Sequence, residues 1–282
     1  MNEDHEMSVH NLRGKSQRLA EASEELKIAQ AQLIEKELLE RELQQARELQ
    51  RSILPQVLPH LEGYDLGARM VPARMIGGDF YDVIPLDTDH LGLAVGDISG
   101  KGIPAALFMS LTCSLLRVEA KMCMSPYRVL QQVNQHILAI TAQEIFVTLL
   151  YGILHLPTCD FTYARAGHEL PLLWDSRGAI VPITEGRGQP LGLFTKPLLD
   201  RKKIKLAPDS TLLLYSDGVT EAQDAKYEFF GLEGMQRIVP GLLENTAQGV
   251  CDQIVDELLS CCHDVQKIDD ITLLALKVLP RL

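Results

Sequence analysis

The side chains in this sequence best suited to chemistry are aspartates, and each stands at one end of an apolar run. Leu91, Leu93, Ala94 and Val95 lead to Asp97, after which Ser99, Gly100 and Gly102 precede a second apolar run that opens around Pro104. The same setting recurs in Gly77-Gly78-Asp79-Phe80-Tyr81-Asp82, in Leu212-Leu213-Leu214-Tyr215-Ser216-Asp217-Gly218 and in Asp269-Asp270-Ile271-Thr272-Leu273-Leu274. A lone aspartate in a glycine turn is ordinarily a turn former that bonds its own backbone. Acids repeated at strand ends far apart in sequence predict instead one convergent site of oxygen donors, which suits hard divalent cations such as Mg²⁺ and Mn²⁺. Without cations, carboxylates gathered in this way would repel, raise one another's pKa and cost stability.

The elements that must position these acids follow from periodicity. Strands are expected at Tyr64–Val71, Phe80–Leu86 and Leu91–Ile98, then buried helices from Ile103 to about Ala120 and from Pro126 to about Ala142, each with a proline in its first turn. Phe146–Leu156, Phe161–Ala166 and Leu170–Trp174 read as consecutive antiparallel strands. The stretch from Asp175 to Pro208, rich in glycine, proline and charge, reads as a less regular excursion that could form a flap. Thr211–Ser216 reads as a buried strand, Leu232–Val239 and Ala247–Cys262 as helices, and Thr272–Lys277 as a closing strand. Strands in runs with helices in pairs indicate α+β layers and not a doubly wound sheet.

Residues 1 to 54 have a different character: charged, leucine- and alanine-rich and free of proline. Leu12, Leu19, Leu26 and Leu33 fall seven apart, and Ala22 and Ala29 complete a weak seam. The phase then slips to Leu39, Leu43, Ala46, Leu49 and Ile53. Such heptads predict a long helix that pairs as a parallel dimeric coiled coil, loosely because Lys15 and Lys36 fall on the seam. The other reading is a single amphipathic helix lying on its own domain. Pro55 and Pro59 stop the helix. The expected organisation is a helix at 1–54, a linker at 55–63 and a globular domain at 64–282.

Composition narrows the function. The net charge of −11 argues against general nucleic-acid binding, which wants a basic face, but not against a phosphoprotein substrate. The polar N-terminus and the expectation that no apolar run approaches a membrane span point to a cytoplasmic protein. The cysteines include no CxxC pair and fit neither a zinc site nor a disulfide framework, so they read as small apolar residues; only the vicinal Cys261-Cys262 suggests redox or soft-metal chemistry. Gly77-Gly78-Asp79-Phe80 does not carry the cyclic-dinucleotide synthase signature, which needs a second acid where Phe80 stands. No protein nucleophile is evident: the cysteines lack a phosphate-cradling loop, and Ser99 and Ser216 lack an evident base.

The motifs GGDFYD (Gly77–Asp82), GDISGKGIPAAL (Gly96–Leu107), AGHELPLL (Ala166–Leu173), YSDGVTEA (Tyr215–Ala222) and DDITLL (Asp269–Leu274), in this order, resemble a metal-dependent Ser/Thr phosphatase of the PPM (type 2C) family. More narrowly, the chain from about Tyr64 to Leu279 is similar to the bacterial branch typified by the stage II sporulation phosphatase and the stress-sigma regulator phosphatases. Leu49–Pro55 resembles the junction where such domains join an upstream helix.

This resemblance implies a PPM-type αββα sandwich, two antiparallel sheets flanked by helix pairs, with two Mn²⁺ or Mg²⁺ ions at one rim. By motif, Asp97 would bridge both ions, the Ile98 carbonyl would complete one site, Asp217 and Asp269 would hold the other ion, and Asp79 would act on the second through water. The family pattern favours Asp269 over Asp270 as the direct ligand, with Asp270 behind it. Many eukaryotic relatives carry a His where Ser99 stands, so the leaving-group proton donor is unassigned. Arg74 lies where some relatives bind phosphate, Lys101 would assist phosphate or pack outward, and His168 would shape the rim more than ligate metal. The implied substrate is a phosphorylated anti-anti-sigma (STAS-type) protein in a partner-switching pathway, with a homodimer through residues 1–54 and an upstream regulatory protein. The alternatives are a non-catalytic phosphoprotein-binding regulator and a phosphatase whose target lies outside sigma control.

Overall fold

The computed structural model describes residues 3–140, 145–183, 188–224, 226–261 and 269–280; the side chains of 1–22 and of Glu25 lie outside the description. The chain divides into two units, Met1–Glu48 and Leu49–Leu282.

The first unit is helical, part of a helix α1 that runs Glu3–Ile53. Leu26, Ile28, Leu33, Ile34, Leu38 and Leu39 are all exposed along it. Leu12, Lys15, Leu19 and Ala22 of the predicted seam fall among the side chains outside the description.

The second unit takes in the last turn of α1. There Gln50 is buried, and its Nε2 donates to the Gly77 carbonyl at 2.7 Å. Leu54, which follows the helix, is buried in the core. Beyond it come β1 (Tyr64–Val71), β2 (Phe80–Pro85), β3 (His90–Ile98), α2 (Ile103–Met122), α3 (Pro126–Ile140), β4 (Val147–His155), β5 (Asp160–Ala166), β6 (Leu172–Trp174), β7 (Asp200–Lys205), β8 (Thr211–Tyr215), α4 (Asp217–Thr220), α5 (Gly231–Ile238), a 3₁₀ turn at Val239–Leu242, α6 (Ala247–Cys261) and β9 (Ile271–Val278). They form a four-stranded sheet in the order β1-β9-β8-β6 and a five-stranded sheet in the order β2-β3-β4-β5-β7, antiparallel at every pairing.

The layers follow from side-chain parity. On β3, Leu91, Leu93 and Val95 join a cluster with Leu212, Leu214, Leu274 and Leu276 from the other sheet, while Ala94 and Ile98 join Met109, Cys113, Leu116 and Val133 of the helices. Burial of a leucine or valine stabilises by about 1.5–3 kcal/mol relative to exposure, so a strand apolar on both faces is held in the middle. A third cluster seals β8 and β9 under α5 and α6. The order is helices, sheet, sheet, helices. β8 is buried at all of its residues, which is why it reads as an unbroken apolar run.

Three expectations need correction. Leu172–Trp174 is not the third strand of a meander: β6 leaves β5 and pairs with β8 in the other sheet. The excursion at 175–208 contains β7, an edge strand on β5 whose residues alternate half-buried with exposed but are all charged except Ile204, which hid it; residues 184–187 of this stretch lie outside the described residues. Finally, α2 is 20 residues long and apolar enough to meet the length and composition of a membrane span. Its apolarity has another cause here: Ala105, Met109, Cys113, Leu116 and Ala120 form a buried stripe on the sheet, and Arg117 on the same helix grips Asp82 at 2.6 and 3.1 Å. The predicted ends at Ala142 and Cys262 lie outside the described residues.

Candidate metal centre

The strand directions bring the acids to one end of the sandwich. Asp79 enters β2, and Asp97 sits near the end of the antiparallel β3. In the other sheet, Asp217 leaves β8 and opens α4, while Asp269 and Asp270 enter the antiparallel β9. Each sheet therefore delivers acids to the same rim.

Asp79 is the most buried of them, 1% exposed, and its Oδ2 has no hydrogen-bond partner. Burial pushes its pKa well above the usual carboxylate range, with Asp97 and Asp270 adding to the rise and the Ser216 and Thr272 hydroxyls opposing it. Asp97 is pushed up to about 7, first by burial and then by the charge of Asp217. Asp217 rises to about 6 through burial and the charges of Glu221, Asp269 and Glu169. This is a site short of positive charge.

The adjacent pair Asp269-Asp270 is split in role. Asp270 is buried, and its carboxylate accepts from the Ala73 and Gly78 amides at 2.7 Å each, clamping the loop that carries Asp79. The fit is close: a Cβ on Gly77 would lie 2.2 Å from Asp270 Oδ2, and one on Gly218 would lie 2.1 Å from the Asp270 carbonyl. Asp269 turns outward, and its Oδ2 accepts from Lys101 Nζ at 2.8 Å. Lys101 stands between Gly100 and Gly102, whose φ values of 93° and 80° only glycine adopts readily.

The remaining predicted residues fall in three places. The Ile98 carbonyl backs onto the Asp79 loop, 2.9 Å from where a Gly78 Cβ would be. Arg74 is exposed on that loop, close enough to Lys101 for its charge to oppose the rise in the Lys101 pKa that Asp269 causes. His168 is not at the open rim: it is 4% exposed, 2.9 Å from Thr148 Oγ1 through Nδ1, and burial pushes it down to about 3, so it is neutral. Ser99, in the position noted for its missing histidine, accepts from the Phe146 amide at 2.8 Å and serves the backbone.

Sequence reasoning missed Glu169 and Glu221, which raise the Asp217 pKa, and weighed Ser216 only as a nucleophile, whereas its hydroxyl accepts from the Thr272 amide at 3.0 Å. Glu169 lies in AGHELPLL, Ser216 and Glu221 in YSDGVTEA and Thr272 in DDITLL; the signal was an acid or hydroxyl close to an already suspect aspartate.

The donor set fits a hard divalent cation: carboxylate oxygens, one of them buried without a partner, and raised pKa values that added positive charge would reverse. Among the described residues no three His, Cys, Asp or Glu side chains are already drawn into one closed cluster, so the acids sense one another across the rim without sharing a tight shell.

Residues 87–279 match the family model described as Stage II sporulation protein E (SpoIIE). The chain is 30% identical over 263 residues to protein IcfG of Synechocystis sp., covering 83% of this chain and 41% of that protein. It is 30% identical over 236 residues to the phosphoserine phosphatase RsbU of Bacillus subtilis, covering 84% of this chain and 70% of RsbU. The chain thus spans less than half the length of IcfG. Among solved structures, the RsbU and RsbW domains of Rv1364c from Mycobacterium tuberculosis align with TM-score 0.69 at 26% identity, covering 79% of this chain and 62% of that one. The SiaA-PP2C domain of Pseudomonas aeruginosa aligns with TM-score 0.74 at 22% identity, covering 86% and 98%, a likeness of fold. Acids delivered by both sheets to one rim, the layer order and these matches together establish that the chain belongs to the stage II sporulation protein E family of PP2C-type phosphatase domains.

Proposed function

We propose that the chain hydrolyses phosphoserine or phosphothreonine on a phosphorylated protein, with Asp79, Asp97 and the Ile98 carbonyl, Asp217 and Asp269 holding two Mg²⁺ or Mn²⁺ ions. The observation that carries this reading is the rise of Asp97 to about 7 beside an unpartnered Asp79 oxygen, a deficit that cations would remove. When bound, such ions lower the pKa of a water and neutralise phosphate charge.

The chain's own residues do the rest. Asp97 lies among acids of both sheets and is the residue suited to bridging. Asp270 fixes the Asp79 loop through two backbone amides, and we assign it a supporting place behind Asp269. Lys101 and Arg74 are the cationic side chains at an acidic rim, and Lys101, released from Asp269, is suited to meet a phosphate oxygen. His168, neutral and buried, supports the rim from beneath.

The substrate we propose is an anti-anti-sigma (STAS-type) phosphoprotein; the name and 30% identity of RsbU support a phosphoserine target. We further propose that residues 1–54 dimerise the enzyme and answer to an upstream regulatory protein, a reading supported by the exposed Leu26, Leu33 and Leu39. Incubation with phosphorylated candidate proteins in Mn²⁺ and in EDTA tests this. Metal-dependent phosphate release from a STAS-type protein supports it. Binding without release favours a phosphoprotein-binding regulator, and release only from other phosphoproteins favours a target outside sigma control.

A further inference from the structure

At the far end of β3 from Asp97, His90 is register-paired with His155 of β4. His90 and Asp97 lie about 23 Å apart along β3 at the usual rise of a strand. Parity puts both imidazoles on the helix-facing side of the sheet, and their ring centroids are 4.8 Å apart at an interplanar angle of 43°. They border a depression of about 310 Å³ whose rim includes Met124, Asp160 and Lys203.

The hydrogen bonds make Nδ1 the engaged nitrogen of both rings. His90 Nδ1 lies 2.9 and 3.0 Å from the two carboxylate oxygens of Asp87, so it donates. His155 Nδ1 lies 2.7 Å from Thr158 Oγ1, and that hydroxyl donates its hydrogen to Asp160 Oδ2 at 2.9 Å. The Thr158 oxygen must therefore accept from His155, so this ring too is protonated at Nδ1. With each Nδ1 engaged in this way, Nε2 is the ring nitrogen open to a further partner.

Metal-ligating histidines show this support, in which the second ring nitrogen donates to a carboxylate directly or through a relay. The separation also fits. With a metal–nitrogen bond of about 2.0–2.1 Å, two imidazoles on one tetrahedral or tetragonal ion place their centroids about 5 Å apart. Imidazole pairs suit Zn²⁺ and its transition-metal neighbours and do not suit Mg²⁺. The charges facing the pair are mixed: Asp87 and Asp160 are negative, and Lys203 and Lys205 are occupied by Asp160 at 3.1 and 3.4 Å.

We infer that His90 and His155 form a second metal site, for a zinc-class ion bound through both Nε2 atoms, which ties the β2–β3 turn to the β4–β5 turn at the end of the sheet away from the acids. It is chemically distinct from the rim: one takes hard cations on carboxylates, the other borderline cations on imidazoles.

Zinc titrated calorimetrically into the full chain with Mg²⁺ in excess tests it. The expected result is a zinc-binding event that His90→Gln or His155→Gln each weakens by at least roughly tenfold, that Asp87→Asn weakens less, and that Asp97→Asn leaves in place. A crystal soaked in zinc should show an anomalous peak between the two rings. Thermal melts without zinc establish that the variants fold, and Asp87→Asn keeps both ligands should either histidine variant not fold. Zinc taken up by exposed Cys261 persists in both histidine variants and is thereby separated. Zinc binding unchanged in both histidine variants, or abolished by Asp97→Asn, would overturn the inference.

Discussion

Asp269 and Asp270 are neighbours in sequence and opposite in use. Asp270 spends both oxygens on the amides of the Asp79 loop, and Asp269 presents its carboxylate to Lys101 and solvent. Gly77→Ala would drive a methyl to 2.2 Å from the Asp270 carboxylate and break that clamp. The expected cost is about 1–3 kcal/mol in unfolding free energy together with weaker metal binding, read by denaturant titration and Mn²⁺ calorimetry. The raised carboxylates make a second prediction. With Asp97 near 7, Asp217 near 6 and Asp79 raised as well, the folded state binds more protons than the unfolded state between about pH 4 and pH 7, a balance that the neutral His168 reduces and does not reverse. Metal-free stability therefore falls as pH rises through that window. Melting in EDTA should show a declining Tm from about pH 4 to pH 7, and Mg²⁺ should restore it most at the upper end; a Tm that climbs with pH contradicts the raised values. The acids themselves were legible in sequence because each stands at one end of an apolar run. The division of labour between Asp269 and Asp270 was legible only through resemblance, since which of two adjacent carboxylates turns inward depends on amides that are 190 or more residues away.

At the scale of elements, the last turn of α1 is part of the globular unit. Gln50 bonds the Gly77 carbonyl, and Arg117 of α2 joins the Ile53 carbonyl to Asp82. Deletion of residues 1–48 should leave a folded, metal-binding domain, whereas Gln50→Ala in the full chain should lower stability by about 1–3 kcal/mol, because a buried carbonyl loses its partner. Circular dichroism melts separate the two, and an unaffected Gln50→Ala protein would contradict the packing. The strand positions were largely legible because period-two and unbroken apolar runs report burial on one face or two. β6 and β7 were not. A three-residue strand carries too little pattern to choose its sheet, and a charged edge strand looks like a loop.

At the scale of the molecule, a strongly acidic chain of charge −11 concentrates carboxylates at one rim, which makes divalent cations the natural partner of the site. The exposed leucines of α1 carry the proposed pairing, so Leu26→Glu with Leu33→Glu should shift sedimentation from dimer to monomer, and an unchanged mass contradicts it. The layered class was legible from strands in runs and helices in pairs, while the crossing of β6 between sheets was not, because only the closed sandwich demands it. The most direct test of the whole account is phosphate release from a phosphoserine protein by the full chain in Mn²⁺, compared with Asp97→Asn and with EDTA. The account predicts metal-dependent turnover that Asp97→Asn lowers on the order of 10²–10³-fold. Turnover that survives both EDTA and Asp97→Asn would contradict it.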